Sequence, residues 1–88
     1  MKVRYRKKYL TELARVPSSD RKAIEKFVFE ELPAFNSLGA SGRIEHLKGH
    51  RHRYKVRFGS YRVGLKLEGD SVSIERVLHR KEIYRFFP

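Results

Sequence analysis

The chain has no cysteine and no tryptophan, and it has only 10 acidic residues against 21 basic ones. Without cysteine it can form neither disulfides nor thiolate metal sites, and a reducing cytoplasm is the expected compartment. Its longest apolar run is Phe27 to Phe29, whereas a membrane-spanning helix needs about 20 apolar residues. No apolar segment follows the basic N-terminus, so no signal peptide is expected. We therefore expect no membrane association and no small-molecule cofactor.

The 88 residues are enough for one compact domain and too few for two. We find no internal repeat, no low-complexity tract and no linker that would divide the chain. With 40% hydrophobic residues the chain can bury a modest core. A single domain over residues 1–88 is the prediction.

The basic excess gives a net charge of 21 − 10 = +11. It is concentrated in two arginine-rich stretches, Lys2 to Lys8 and Lys48 to Arg62. Because the planar guanidinium fits phosphates and base edges, this clustering favours nucleic acid or an acidic protein as the partner. The alternative is a solvated basic surface without a specific ligand.

The N-terminal half has the pattern of a strand followed by two helices. Lys2 to Arg6 alternate between apolar and basic residues, which predicts a half-buried strand. Helical spacing begins at Lys7 and is broken by Pro17. Ser18 or Ser19 could cap a second helix, with Asp20 in its first turn, and this helix would end at Pro33. The turn-forming segment 35–42 then predicts a loop.

The C-terminal half has the pattern of an antiparallel meander. Apolar and basic residues alternate from Tyr54 to Phe58 and again from Tyr61 to Leu67, and Gly59-Ser60 forms a two-residue turn between them. A second turn at Gly69-Asp70 leads into a third strand. The prediction is an α+β fold with a short N-terminal strand, a two-helix hairpin packed on a meander sheet, and a short C-terminal segment.

The turn at Gly59-Ser60 fixes the register of the hairpin. It pairs Phe58 with Tyr61, Arg57 with Arg62, Val56 with Val63, and Lys55 with Gly64. The apolar members would face the helices, and the basic members would face away. Opposed like charges destabilise a sheet, so a bound phosphodiester would relieve the pair Arg57 and Arg62, and Gly64 would leave room for a nucleic-acid backbone. The alternative is that these cations are ordinary outward-facing side chains of a solvated sheet.

Four stretches resemble, in order and spacing, the RelE branch of the RelE/ParE toxins. They are Leu47-Lys48-Gly49, Tyr54-Lys55-Val56-Arg57, Gly59-Ser60-Tyr61-Arg62-Val63 and His79-Arg80-Lys81-Glu82-Ile83-Tyr84. The resemblance covers nearly the whole chain. It implies the toxin of a type II toxin-antitoxin system, an endoribonuclease without metal that cuts messenger RNA at the ribosomal A site by driving the 2′-hydroxyl onto the adjacent phosphate. Ribosome, messenger RNA and a cognate antitoxin are the implied partners.

The resemblance also assigns roles to single residues. Lys55 and Arg57 match two basic positions that act in proton transfer and charge stabilisation, and Arg62 matches a phosphate-binding arginine. Arg80 matches an arginine that aids the leaving group, and Tyr84 matches a tyrosine that stacks on or orients the base. Arg57 departs from the RelE pattern, which commonly has a lysine there, and an arginine is a poor general base.

Two further residues match the YoeB-like branch of the same family. Glu45 falls where that branch places a glutamate that acts as base, and His79 lies near its catalytic histidine. A pairing of Glu45 with His79 would suit acid-base chemistry near neutral pH. The alternative for Glu45 is an ordinary exposed acid at the start of a strand.

His46, His50 and His52 cluster within seven residues, but neither cysteine nor a suitable carboxylate completes a metal site, and neighbouring arginines would repel a cation. We expect a mobile basic loop that touches RNA, and no metal. The residues predicted to bind RNA are Lys48, Arg51, Arg53, Lys66 and Lys81. Two other functions stay open, a ParE-like toxin that inhibits DNA gyrase without nuclease activity and a non-catalytic module that binds RNA or ribosomes.

Overall fold

The computed structural model describes residues 1–88 and has an α+β fold. In chain order the elements are β1 (Lys2–Tyr5), α1 (Lys7–Leu13), α2 (Ser18–Glu25), β2 (Ile44–His46), β3 (Arg53–Phe58), β4 (Tyr61–Glu68), β5 (Ser71–His79) and α3 (Ile83–Phe86). A π-helical turn at Lys26–Glu31 and a 3₁₀ turn at Leu32–Ala34 extend α2, and another 3₁₀ turn lies at Leu38–Ala40. None of the helices has the length and apolar character needed to cross a membrane.

The predicted helical hairpin is present, but the predicted serine cap of α2 is wrong. Pro17 occupies the N-cap position, and no side chain caps the helix. Because its extended backbone (ψ 146°) turns the carbonyl into the first turn, Pro17 O accepts a hydrogen bond from Arg21 N at 2.8 Å. Ser18 is therefore already helical, and Asp20 lies in the first turn as predicted.

The sheet has five strands in the order β1-β5-β4-β3-β2. The meander of β3, β4 and β5 is antiparallel, as predicted, and the N-terminal strand β1 joins it in parallel beside β5. The short strand β2 adds to the other edge through Glu45 opposite Lys55. The hairpin register is confirmed at all four predicted pairs.

The main core lies between the helices and one face of the sheet. It contains fifteen buried residues, among them Phe27, Val56, Phe58, Val63 and Leu65. Phe27 is only 1% exposed. We call the opposite side of the sheet the open face.

A second, smaller apolar cluster lies on the open face. Leu47, Ile83 and Phe87 are buried together, and Leu78 packs against them. The C-terminal segment with α3 therefore folds back over the open face and covers part of it. This cluster positions the candidate site.

Candidate functional site

Four residues form one rung across the open face. Glu45 pairs with Lys55, Lys55 with Gly64, and Gly64 with Arg76, so the rung runs from β2 to β5. A bulge at Glu75 shifts the register of β5 by one residue, so that Leu65 pairs with Ile74 and Gly64 with Arg76. An acid, two cations and a glycine thus lie side by side across the sheet.

Gly64 does not leave room for a nucleic-acid backbone, and that prediction is wrong. The ring of Phe87 fills the space, since a Cβ added at Gly64 would lie 2.8 Å from two of its ring carbons. Phe87 is 3% exposed, and its burial brings the C-terminal segment onto the rung. The glycine accommodates the protein's own aromatic ring.

Arg76 ties this segment to α1. Its guanidinium donates hydrogen bonds to Glu12, the shortest from Nη2 to Oε2 at 2.6 Å, and also to the carbonyl of Phe86 at 3.3 Å. Glu12 Oε1 in turn accepts a bond from Val77 N at 3.1 Å. The hydrogen bond with Glu12 raises the pKa of Arg76. One arginine therefore connects a helix of the main layer with the end of α3.

At the other end of α3, Tyr84 meets Lys55. Lys55 Nζ donates to Tyr84 Oη at 2.5 Å and lies 3.8 Å from Glu45 Oε2. The side chain of Lys55 is 18% exposed, whereas Tyr84 is 57% exposed. A cleft of about 390 Å³ opens beside them; it is lined by Leu47, Lys48, His50, Lys55, Tyr84, Phe87 and Pro88. A substrate could enter this cleft and reach both groups.

Arg57 and Arg62 are opposed as predicted, but the protein itself offsets their repulsion. Arg57 Nε lies 3.5 Å from Glu45 Oε1. Arg62 Nη1 donates to Gly59 O at 2.7 Å and to Tyr61 O at 2.9 Å. The repulsion that a bound phosphodiester was expected to relieve is therefore already offset within the protein. Both side chains remain on the open face next to Lys55, where their remaining N–H groups can bind an anion.

The predicted pairing of Glu45 with His79 does not form. His79 pairs with Tyr61 across β4 and β5, and the two rings are in edge-to-face contact at 5.6 Å. Tyr61 packs against the main core, so His79 is on the helix side of the sheet while Glu45 is on the open face. Arg80 follows directly, and its N–H donates to Ser60 O at 2.7 Å. Arg80 is exposed in the turn that follows β5.

The structure groups no three histidine or acidic side chains that could hold a metal ion. His46 Nε2 hydrogen-bonds Arg51 O at 3.1 Å, and its ring lies against Tyr54. The residues predicted to bind RNA are dispersed. Exposed Lys48 lines the cleft, and Arg51 lies in the loop before β3. Arg53 pairs with Lys66 on the open face, and Lys81 lies in the turn after β5.

Comparison with known proteins decides the family. Residues 3–84 match the family model described as ParE toxin of type II toxin-antitoxin system, parDE. The chain is 42% identical to Toxin RelE3 of Methanocaldococcus jannaschii over 89 residues, which covers 100% of both proteins. The chain belongs to the RelE/ParE toxin family of type II toxin-antitoxin systems. The resemblance found in the sequence is thereby confirmed at the level of the family.

The toxin is similar in structure to an archaeal RelE and to a bacterial RelE. It has a TM-score of 0.81 and 39% identity with a RelB-RelE antitoxin-toxin complex from Methanococcus jannaschii, covering 97% of this chain and 99% of that one. A mutant of Escherichia coli toxin RelE in the free state has 20% identity and a TM-score of 0.69, with coverage of 96% and 90%. The latter likeness concerns the fold alone.

Three residues of the site were missed by sequence reasoning. Glu12 and Arg76 are 64 positions apart, and Phe87 reaches Gly64 only after the chain turns back at α3. Nothing in the local pattern around Glu12 distinguishes it from an exposed helical acid. Gly64 in the middle of an alternating strand was a signal that some group packs closely against the backbone there, and this group is the ring of Phe87.

Proposed function

We propose that the toxin is a metal-independent endoribonuclease that acts in the cytoplasm on messenger RNA in the ribosomal A site. The observation that carries this proposal is the position of Lys55, which lies between the carboxylate of Glu45 and the hydroxyl of Tyr84 at the edge of an open cleft. Arg57 and Arg62 lie next to it on the same face. Cations, an acid and an exposed aromatic ring thus meet where RNA has access.

The reaction is an attack of the ribose 2′-oxygen on the adjacent phosphorus, which breaks the bond to the 5′-oxygen of the next nucleotide. Arg57 and Arg62 bind the phosphate oxygens and stabilise the additional negative charge of the transition state. Glu45 accepts the 2′-hydroxyl proton, and the Lys55 ammonium donates one to the leaving 5′-oxygen, which Arg80 helps to stabilise. Because Glu45 and Lys55 are 3.8 Å apart, the proton can return between them after the step. His79 takes no part, since it is on the other face.

Tyr84 supplies the substrate contact. Its ring is on the surface beside the cleft and its hydroxyl is held by Lys55, so a base stacked on the ring would set the scissile phosphate over the rung. The products are a 2′,3′-cyclic phosphate and a 5′-hydroxyl, because no water enters the step.

A cognate antitoxin is the second proposed partner. The RelE of Methanococcus jannaschii was solved in complex with RelB. With a net charge of +11, this toxin would accept an acidic antitoxin segment that covers the basic, partly apolar open face and excludes RNA.

Gyrase inhibition without nuclease activity is the second candidate function, because the matching family model is that of the ParE toxin. Primer extension on messenger RNA with translating ribosomes separates the two. Wild type should give cleavage stops that are lost in Arg62→Ala and retained in Lys22→Ala, a charge-matched control on exposed α2. Thermal melts of both variants establish that they are folded. If wild type gives no stops and instead inhibits gyrase supercoiling, the nuclease proposal is wrong.

A further inference from the structure

Five basic side chains on the open face have a partner within the toxin. Salt bridges join Arg6 to Glu75, both Lys55 and Arg57 to Glu45, and Arg76 to Glu12, while Arg62 binds two backbone carbonyls. Each of these cations is thereby compensated in the free protein.

Three cations of the β-strands on this face have no such partner, and they share one rung. Arg4 pairs with Ser73, Ser73 with Lys66, and Lys66 with Arg53. None of the three cations forms a salt bridge within 4.0 Å, and none of their side chains donates a hydrogen bond within the toxin. The remaining unpaired cation of the strands, Lys2, shares its rung with Glu68 through Ser71.

The arrangement at Arg53 and Lys66 is unfavourable for the free protein. Like charges directly opposite on adjacent strands destabilise a sheet. Glu75 is the acid that acts on Lys66, but its carboxylate is already bonded to Arg6 Nε at 3.0 Å and to Ser73 Oγ at 2.5 Å. A repulsion like the one first expected between Arg57 and Arg62 therefore remains uncompensated between Arg53 and Lys66, four residues further along each strand.

The rung lies beside the proposed catalytic one. Arg53 and Lys66 are two residues from Lys55 and Gly64 on the same strands, so the two rungs are about 7 Å apart. This distance is comparable to that between successive phosphates of a single RNA strand. A single RNA strand with one phosphate over Lys55 would place a neighbouring phosphate over Arg53 and Lys66.

We propose that Arg53 and Lys66 form a second phosphate-binding site, which holds an RNA phosphate adjacent to the scissile one, with Arg4 extending the site along the rung. The site rests on the proposed function, because it assumes RNA over Lys55. The Arg53 guanidinium suits a phosphate because it offers two parallel N–H groups, and the Lys66 ammonium adds a point charge. The site orients substrate and takes no part in the chemical step.

Binding of a 2′-O-methyl hexanucleotide, which lacks the attacking hydroxyl, tests the site without cleavage. Fluorescence anisotropy over a range of salt should give roughly fivefold weaker binding and a shallower salt dependence for Arg53→Gln/Lys66→Gln than for wild type. The matched control Lys22→Gln/Lys26→Gln removes two exposed charges from the helix side and should bind like wild type. Thermal melts should place the test variant level with or above wild type, because opposed cations are removed.

Neutral linkages locate the contact. A single methylphosphonate is moved along the hexanucleotide, and wild type should lose affinity at the phosphate next to the central one. The affinity of the double variant should not change when that phosphate is neutralised, because the protein substitution and the methylphosphonate then remove the same interaction. Equal losses in wild type and double variant at every position would overturn the proposal.

The remaining outcomes also decide. Absence of salt-dependent binding by wild type overturns the site. So does a double variant that binds RNA normally but loses affinity for an acidic peptide, which would assign the rung to an acidic protein. If the double variant binds RNA as expected while wild type gives no cleavage on ribosomes, the phosphate site stands and the nuclease proposal fails. If wild type cleaves normally but the methylphosphonate affects wild type and double variant equally, the nuclease proposal stands and the phosphate site fails.

Discussion

Arg76 of β5 binds both carboxylate oxygens of Glu12 in α1, with distances of 3.0 Å to Oε1 and 2.6 Å to Oε2. The same guanidinium holds the carbonyl of Phe86. A partly buried ion pair therefore links the helical layer to the segment that carries Tyr84. The side chains of Arg76 and Glu12 are only 15% and 12% exposed, so solvent screens the pair weakly.

Arg76→Met should lower the free energy of unfolding by about 2 kcal/mol, because it leaves the Glu12 carboxylate with a single donor, Val77 N, in a poorly solvated place. Urea denaturation measures the loss. The double variant Glu12→Gln/Arg76→Met should recover part of it, since no unpaired charge remains. Equal stability of Arg76→Met and wild type would show that the pair does not hold the segment.

The ring and the hydroxyl of Tyr84 should be separable. Tyr84→Phe keeps stacking and loses the hydrogen bond from Lys55, whereas Tyr84→Ala loses both. Because stacking on an aromatic ring contributes about 1–3 kcal/mol per base, Tyr84→Ala should cleave about ten to a hundred times more slowly than Tyr84→Phe. Single-turnover cleavage on programmed ribosomes measures this ratio. Equal rates for the two variants would exclude a stacking role.

Gly64→Ala should destabilise the toxin by about 1–3 kcal/mol, because the added Cβ would overlap the Phe87 ring. It should also slow cleavage, since α3 would move and Tyr84 with it. Phe87→Leu should lower the free energy of unfolding less in the Gly64→Ala variant than in wild type. Strict additivity of the two changes in urea denaturation would mean that the ring does not rest on Gly64.

Glu75 should make stability depend on acid pH. Burial raises the pKa of Glu75, but hydrogen bonds from Ser73 and Arg6 outweigh it, and the pKa is lowered. The folded state thus favours the ionised form, and this stabilisation is full at neutral pH and disappears as pH falls through the folded pKa. Glu75→Gln should be less stable than wild type at neutral pH, with the difference vanishing at low pH in urea denaturation. Exposed Glu30→Gln should show no comparable trend.

Alternation and turn chemistry were sufficient to predict the hairpin, its register and which side chains face the helices, because these depend on neighbours a few residues away. Contacts between residues that are distant in sequence could not be predicted in this way. That Glu45 compensates Arg57 depends on β2 joining the sheet edge, and that His79 is on the helix side depends on the bulge at Glu75. The positions of Phe87 and Arg76 follow from the return of α3 across the open face.

The account centres on Lys55 as the group on the open face that donates a proton to the leaving 5′-oxygen. Single-turnover cleavage of A-site messenger RNA by wild type, Lys55→Met and the helix-side control Lys22→Met tests it most directly, with a second substrate that lacks the 2′-hydroxyl at the scissile nucleotide. We predict that Lys55→Met cleaves at least about a hundredfold more slowly, as expected for loss of a positioned acid or base. The control should cleave like wild type, and the deoxy substrate should remain intact. Cleavage of the deoxy substrate by wild type, or an undiminished rate for Lys55→Met, would contradict the account.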